Sequence, residues 1–168
     1  MDVHLNKAVR AQEPIFQKLA QLYTHDFSEF WAGTARGDLN ADGCFDPYPM
    51  DKYWDNPDWS ASLIWHGKAL AGFALVNDES HSGGPVERNM AEFFILRKYR
   101  GIGLGRGAAK MLFAAHPGSW EVAVARKNIQ AFEFWRAIIT SEPNVADIRS
   151  LDMANDHWNG PIFRFTWR

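Results

Sequence analysis

The sequence predicts a mixed α/β (α+β) fold with a mostly antiparallel central sheet flanked by helices. Three observations predict it. Two apolar runs, Ala61 to Trp65 and Ala69 to Val76, lie on either side of His66-Gly67-Lys68 and read as a hairpin. Pro14 to Phe30 places Ile15, Phe16, Leu19, Leu22, Tyr23, Phe27 and Phe30 at the helical period. A strongly apolar strand, Met90 to Leu96, runs straight into a glycine-dense turn and then a small-residue helix.

The remaining elements follow in chain order. A short strand falls near Val3 to Ala8, and Pro14 suits the first turn of the helix that follows. Trp31 to Trp59 is rich in Gly, Asp, Pro and aromatics and reads as a long loop, with one helical turn around Met50 to Trp54. After the strand Met90 to Leu96, a helix runs from Gly103 to Ala115 with Leu104, Ala108, Met111, Leu112 and Ala115 on one face, and Pro117-Gly118 ends it. Trp120 to Ala125 is a strand, Asn128 to Ile139 a helix, and strands near Ala146 to Met153 and Ile162 to Trp167 close the chain. The order is a meander, a strand-helix-strand-helix unit and closing strands. We expect one domain over residues 1–168: a variable region of helix and loops at about 9–60, a core at 61–139 and closing strands at 140–168.

Composition narrows the function classes. The chain has 168 residues, 46% hydrophobic and 23% charged, with a net charge of -2, as an ordinary globular protein has. No apolar run reaches the roughly 18 residues of a membrane span, and the first residues lack the apolar centre of a secretion signal, so a cytoplasmic protein is expected. Cys44 stands alone, between Asp42 and Asp46, and is expected to be a small apolar filler. Nucleic acid is not an expected partner, because it calls for a broad basic surface. The histidines show no ligand spacing. Asp38-Leu-Asn40-Ala-Asp42-Gly43 copies half of an EF-hand loop, but Pro49 stands where calcium needs a bidentate Glu, so no metal is expected and the segment reads as an Asx-rich turn.

The turn RKYRGIGLGRGAAK, Arg97 to Lys110, carries five cations (Arg97, Lys98, Arg100, Arg106, Lys110) and no acid. Glycines let a backbone approach closely, and the N–H groups and dipole at a helix start favour negative charge, so the turn reads as an anion site. A P-loop needs Gly-Lys-Ser/Thr, which is missing. A dinucleotide fingerprint can be forced onto Gly103, Gly105 and Ala108 with Glu121 as ribose acid, but the upstream meander does not suit a doubly wound sheet. The third candidate ligand is the pyrophosphate of coenzyme A.

Arg100-x-x-Gly103-x-Gly105 after an apolar strand and before a helix resembles the acetyl-CoA signature of the GNAT acetyltransferase superfamily. Asn128-Ile-Gln-Ala131-Phe-Glu-Phe134-Trp135, which begins 25 residues after Gly103, resembles the family's Asn-x-x-Ala-x-x-Phe-Tyr pattern. The resemblance covers about Ala61 to Ile139. It implies a bulged strand before the turn, splayed from the next strand so that pantetheine lies between them. It implies main-chain contacts from Ile95, Leu96 and Arg97, and a pyrophosphate cradle from Arg100, Gly101, Ile102, Gly103, Leu104, Gly105 and Arg106. Basic side chains such as Arg100 and Arg106 would add phosphate contacts. It also implies a bond from Asn128 near the pantetheine arm, with Phe134 and Trp135 beside it. The implied activity is acetyl transfer from acetyl-CoA to a primary amine, small molecule or peptide, by direct attack. The alternative is a non-catalytic or regulatory coenzyme A-binding module.

Glu92, an acid inside an apolar strand and on the same side as Phe94 in a regular pleat, is the candidate base, since burial raises a carboxyl pKa toward a useful value. Trp135 stands where the family pattern has the tyrosine that protonates the thiolate, and an indole N–H is too weak an acid. Three routes stay open: another residue (Tyr99, Tyr53 or Tyr48) supplies the proton, the thiolate takes one from solvent or the product ammonium, or the protein does not turn over. Between Asp26 and Asp58, eight carboxylates stand against Arg36 and Lys52 alone, with Phe27, Phe30, Trp31, Tyr48, Tyr53, Trp54 and Trp59 among them. That mixture suits a cationic, partly apolar amine. Oligomeric state, homodimer included, is left open.

Overall fold

The two apolar runs around Gly67 form the hairpin of β2 (Ser60–His66) and β3 (Ala69–Asn77), the centre of a meander that begins with β1 (Val3–Lys7) and ends with β4 (Arg88–Ile95). Helix α1 (Glu13–Ser28) and the one-turn α2 (Asp51–Asp55) lie between β1 and β2; α3 (Leu104–Ala115) follows β4. Then come β5 (Gly118–Ala123), α4 (Ile129–Ser141), β6 (Val145–Ala154) and β7 (Asn159–Trp167). This is a computed structural model, and it describes residues 2–168. The seven strands form one sheet in the order β1-β2-β3-β4-β5-β7-β6, antiparallel at every neighbour except the parallel β4–β5 pair. The expected mixed, mostly antiparallel sheet is therefore observed.

Each face of the sheet carries its own core. Phe16 and Leu19 of α1, Tyr53 of α2 and Trp59 pack with Leu63, Phe73 and Phe94 on one face. On the other, Leu104, Ala108, Leu112 and Phe113 of α3 join Trp135, Ile138 and Ile139 of α4, Trp120, Phe165 and Trp167. Sequence periodicity put Met111 and Ala115 on the buried face of α3, yet both are exposed. The helix instead turns Ala109 and Phe113 inward, because Phe113 lies 4.8 Å from Trp120 and 5.1 Å from Phe165, ring to ring. Leu22 of α1 is likewise exposed rather than buried. Cys44 is also exposed, which corrects the apolar-filler reading: its loop stands off the core and is held by polar turns, with Asp42 Oδ1 accepting from the Cys44 N–H at 3.2 Å.

No helix among the described residues is long and apolar enough to cross a membrane. Phe113 is wholly buried and touches four aromatic rings, so Phe113→Ala is expected to lose about 3–5 kcal/mol of stability. Met111→Ala on the exposed side should change it by less than about 0.5 kcal/mol. Urea midpoints of the two variants check the difference.

Candidate active site

Strand β4 gains one residue against β3: Leu75 faces Glu92 and Val76 faces Met90, so Ala91 is the extra residue of a bulge. A bulge bends its strand and increases local twist. On its other edge β4 pairs with β5 only at Arg88–Trp120 and Asn89–Glu121, and then the two part, although β4 continues to Ile95 and β5 to Ala123. Meanwhile β5 stays paired with β7 as far as Ala123–Ile162. The parting opens a cleft of about 690 Å³ whose floor includes Met90, Ala91, Glu92 and Phe93 on one side and Val122 to Ala125 on the other.

Beyond the bulge, β4 sends its side chains to opposite walls. Glu92 and Phe94 face α1, where the Tyr23 ring lies 5.8 Å from Phe94. Phe93 and Ile95 face α3 and α4, with Phe93 5.8 Å from Phe134 and 5.1 Å from Trp135. The Tyr48 hydroxyl donates to Glu92 Oε1 at 2.7 Å, and the Tyr23 hydroxyl donates to Oε2. Burial pushes the Glu92 carboxyl above its ordinary value, while the donors Tyr23 and Tyr48 and the charge of Arg36 pull the other way without cancelling it. Burial, and next the Glu92 charge, holds both hydroxyls well above the ordinary tyrosine value. At neutral pH they remain protonated donors to the carboxylate.

Of the tyrosines that the sequence offered as acids, only Tyr48 lines this cleft. Tyr53 is buried, with its hydroxyl accepting from Asn77 Nδ2 at 3.3 Å, and Tyr99 lies beside His66 outside it. Tyr23 is the residue that sequence reasoning missed. It lay inside the apolar pattern of α1, and only the long-range approach to Glu92, 69 residues away, gives it a polar task.

At the end of β4 the chain turns through a short 3₁₀ segment, Arg97–Tyr99, into the glycine turn. Gly103 is the N-cap of α3 with φ +83°, a left-handed conformation that costs other residues roughly 1–2 kcal/mol. No described protein group accepts a hydrogen bond from the main-chain N–H groups of Gly101, Ile102, Gly103, Leu104, Gly105 or Arg106. Six free donors at a helix start make a cradle for an oxyanion pair. Phe134 packs against Gly105, and Asn128 caps α4, its Oδ1 accepting from the Ala131 N–H at 3.0 Å while the residue lines the cleft.

Several side chains and main-chain groups named from the sequence are engaged elsewhere. Arg97 and Arg100 both bind Asp26 of α1, and Arg100 Nε also donates to the Ile95 carbonyl at 2.7 Å. Arg106 reaches the end of α4, donating to Ser141 Oγ at 2.8 Å and pairing with Glu142, as Lys110 does. The Leu96 N–H bonds to Ala71 and its carbonyl accepts from Tyr99, whereas the Arg97 N–H has no acceptor among the described residues. Burial raises the Asp26 carboxyl, but hydrogen bonds and charge from Arg100 and Arg97 outweigh it and set the pKa below its ordinary value. The free donors of the turn are thus its backbone N–H groups rather than these side chains. Trp135, in the position of the family's tyrosine, is buried against Phe93, Phe113 and Phe134 and serves as core.

The structure bears on two other readings, the ribose acid already set aside and the acidic run. Glu121 does not face the glycine turn as a ribose acid would. It is fully buried and accepts from Ser80, Ser82 and the His81 N–H, pinning the β3–β4 loop at the mouth of the parting. None of the eight carboxylates between Asp26 and Asp58 lines the cleft, where the acids are Glu92 and Asp156. Asp51 and Asp55 pair with Arg10, and Asp46 accepts from Asn40.

With this geometry in hand, three solved structures are informative. An acetyltransferase from Thermus thermophilus superposes with a TM-score of 0.62 at 14% identity, over 99% of this chain and 96% of that one. A GNAT-family acetyltransferase from Staphylococcus aureus gives 0.61 at 9% identity, over 99% of both chains. The PaiA N-acetyltransferase from Thermoplasma acidophilum, in complex with coenzyme A, gives 0.60 at 13% identity, over 99% of this chain and 100% of that one. The chain has the GNAT fold. No protein-family model matches the sequence, and no curated protein is significantly similar to it. In the terms of the GNAT fold, the observed parting of β4 from β5 is the splayed pair that the resemblance implied.

The raised pKa of Glu92 has a consequence for stability. Its folded value exceeds the unfolded value near 4.5, so the protonated carboxyl stabilises the fold below that pH, and the contribution is lost as pH rises through the folded pKa. Glu92→Gln, which cannot ionise, is expected to gain stability relative to wild type as pH is raised from about 4 to about 8, in urea unfolding at stepped pH. A difference independent of pH would contradict the assignment.

Proposed function

We propose that the protein is an N-acetyltransferase that moves the acetyl group of acetyl-CoA to a primary amine, without a covalent enzyme intermediate. The observation that carries the reading is that β4 joins two features: a half-buried, tyrosine-bonded carboxylate beside the bulge, in the cleft, and the free amides of residues 101–106 at a helix start, which follow the strand's end and lie outside the residues that line the cleft. The residues fit the cofactor. The amides of Gly101 to Arg106 would hold the pyrophosphate, and the parted main chains of β4 and β5 would receive the pantetheine arm. Ile95, Leu96 and Arg97 would border that arm at the strand end, of which the Arg97 N–H is a free donor. Asn128, Phe134 and Trp135 would form its other side, with the indole as packing rather than as acid.

Acetyl-CoA supplies an activated acyl carbon and a thiolate leaving group. Glu92 receives a proton from the attacking amine, directly or through one water, once pH exceeds its raised pKa. Tyr23 and Tyr48 orient the carboxylate and keep it ionised at a lower pH than burial alone would allow. In the net exchange a C–N bond forms and the C–S bond breaks; the proton that Glu92 takes from nitrogen passes on to solvent, and the leaving thiolate takes one from the ammonium or from solvent. Trp135 therefore does not argue against turnover. The alternative of a coenzyme A-binding module without activity rests on Trp135 alone and gives the Glu92 cluster no task.

The test is amine-dependent release of free thiol from acetyl-CoA. Glu92→Gln is expected to lower kcat/KM by about 10²–10⁴, most strongly at the pH where the amine is still protonated. Tyr48→Phe removes a hydrogen bond that lowers the Glu92 pKa, so the rising limb of its pH profile should move to higher pH. An unshifted limb would take Tyr48 out of the mechanism, and thiol release unchanged by Glu92→Gln would take out the base.

A further inference from the structure

Arg36 lines the same cleft and has no partner of its own. Arg10, Arg97, Arg100, Arg106, Lys110, Arg126 and Arg136 are all paired with carboxylates, Arg97 and Arg100 sharing Asp26 and Arg106 and Lys110 sharing Glu142. Among the described residues the exposed Arg36 guanidinium, like those of Arg149 and Arg168, has neither an ion pair nor a hydrogen bond, but it alone of the three lines the cleft, and the segment around it is acidic. It lies over the Trp31 ring, 4.2 Å from guanidinium carbon to ring centroid. That contact is constructed. Gly37 is left-handed at φ +78°, and a Cβ there would lie 2.6 Å from Trp31 Cε3, so only glycine lets the chain close over the indole and lay Arg36 on it. Phe27 supports Trp31 from the helix at 5.8 Å, and Lys127 at the start of α4 donates to the Phe30 carbonyl at 3.1 Å, tying this arm across the cleft.

We propose that Arg36, held on Trp31, recognises an anionic group of the acceptor, and that the accepted amine is an amino acid-like molecule carrying a carboxylate and an apolar or aromatic body. This rests on the acetyl-transfer reading and names its substrate class. A guanidinium presents a planar fork that matches a carboxylate with two parallel hydrogen bonds, and stacking on an indole holds that fork in place before the ligand arrives. Arg36 and Glu92 line the same cleft, and the Arg36 charge lowers the carboxyl pKa; under this proposal the two act on one bound molecule. Between them the walls are Tyr23, Phe27, Trp31, Tyr48 and Trp158. The other ionisable groups at the cleft are Asp156, His81 and His157 at its rim; Asp156, which is exposed, is the one further acid. A cleft of about 690 Å³ is the size of a small-molecule site. The acidic segment gives no support to a cationic acceptor, since none of its acids lines the cleft.

Three probes share an aromatic ring and a primary amine and differ in charge: L-phenylalanine, L-phenylalaninamide and phenethylamine. With wild-type protein and acetyl-CoA, kcat/KM for phenylalanine is expected to exceed that of the other two by at least about tenfold, the worth of a charged hydrogen-bonded pair. Arg36→Gln should collapse the ratio to about one, chiefly through KM of the acid, and Arg36→Lys should restore part of it. Equal rates in wild type, a preference for either uncharged-tail amine, or a ratio that survives Arg36→Gln would overturn the anion subsite while leaving acetyl transfer standing. If none of the probes is acetylated although acetyl-CoA protects the protein from unfolding, the substrate class is wrong and the cofactor reading stands. If acetyl-CoA gives no protection, the acetyl-transfer reading itself has failed.

Discussion

The extra residue at Ala91 is the constraint on which the rest of the site depends. Without it, β4 would continue its ladder along β5, and the cleft would be an ordinary sheet interior with every amide paired. With it, the parallel pairing ends at Asn89–Glu121, and the strands diverge around Phe93 and Val122. The same bulge sets which way the next residues point. Glu92 is delivered to the α1 wall and Phe93 to the α4 wall, so one irregularity both opens the cleft and places an acid at its floor.

Withdrawing that half-buried acid from water has a physical cost, which the protein limits rather than removes. A carboxylate taken from water without partners loses several kcal/mol, and hydrogen bonds to a charged group each return about 1.5–3 kcal/mol. Tyr23 and Tyr48 supply two such bonds, and Arg36 adds a favourable field. The compensation is incomplete, and the remaining imbalance is what raises the pKa. Helix α1 is tied to the other half of the site as well, because its Asp26 grips Arg97 and Arg100 beside the glycine turn. The helix that carries Tyr23 thus also fixes the start of the amide cradle.

The sequence made the fold legible where local patterns coincide with tertiary structure. The hairpin at Gly67, the period of α1 and the strand-turn-helix at Gly103 all rest on neighbours in the chain. What it did not make legible depends on distant partners. Whether Arg100 faces a ligand or Asp26 is decided by a contact 74 residues away, and the use of Tyr23 by one 69 residues away. The acidic run from Asp26 to Asp58 was open to two readings, a solvated face or a substrate-facing one, because charge density says nothing of direction; none of its acids lines the cleft. Cys44 read as buried because composition favours that for a lone cysteine, whereas its loop stands off the core. Arg36 looked like one stray cation among acids, and only the fold shows that it sits unpaired on an indole.

The central claim is that the backbone cradle at residues 101–106 binds acetyl-CoA. Thermal unfolding of wild type and Ile102→Glu with and without the ligand tests it most directly, since Ile102 is 47% exposed and its replacement puts a negative charge at the cradle without disturbing the core. Acetyl-CoA at 100 times its dissociation constant adds about 2.7 kcal/mol, so the wild-type midpoint should rise by about 5–10 °C, and the variant should respond far less. No rise in wild type, or an equal rise in Ile102→Glu, would contradict the account.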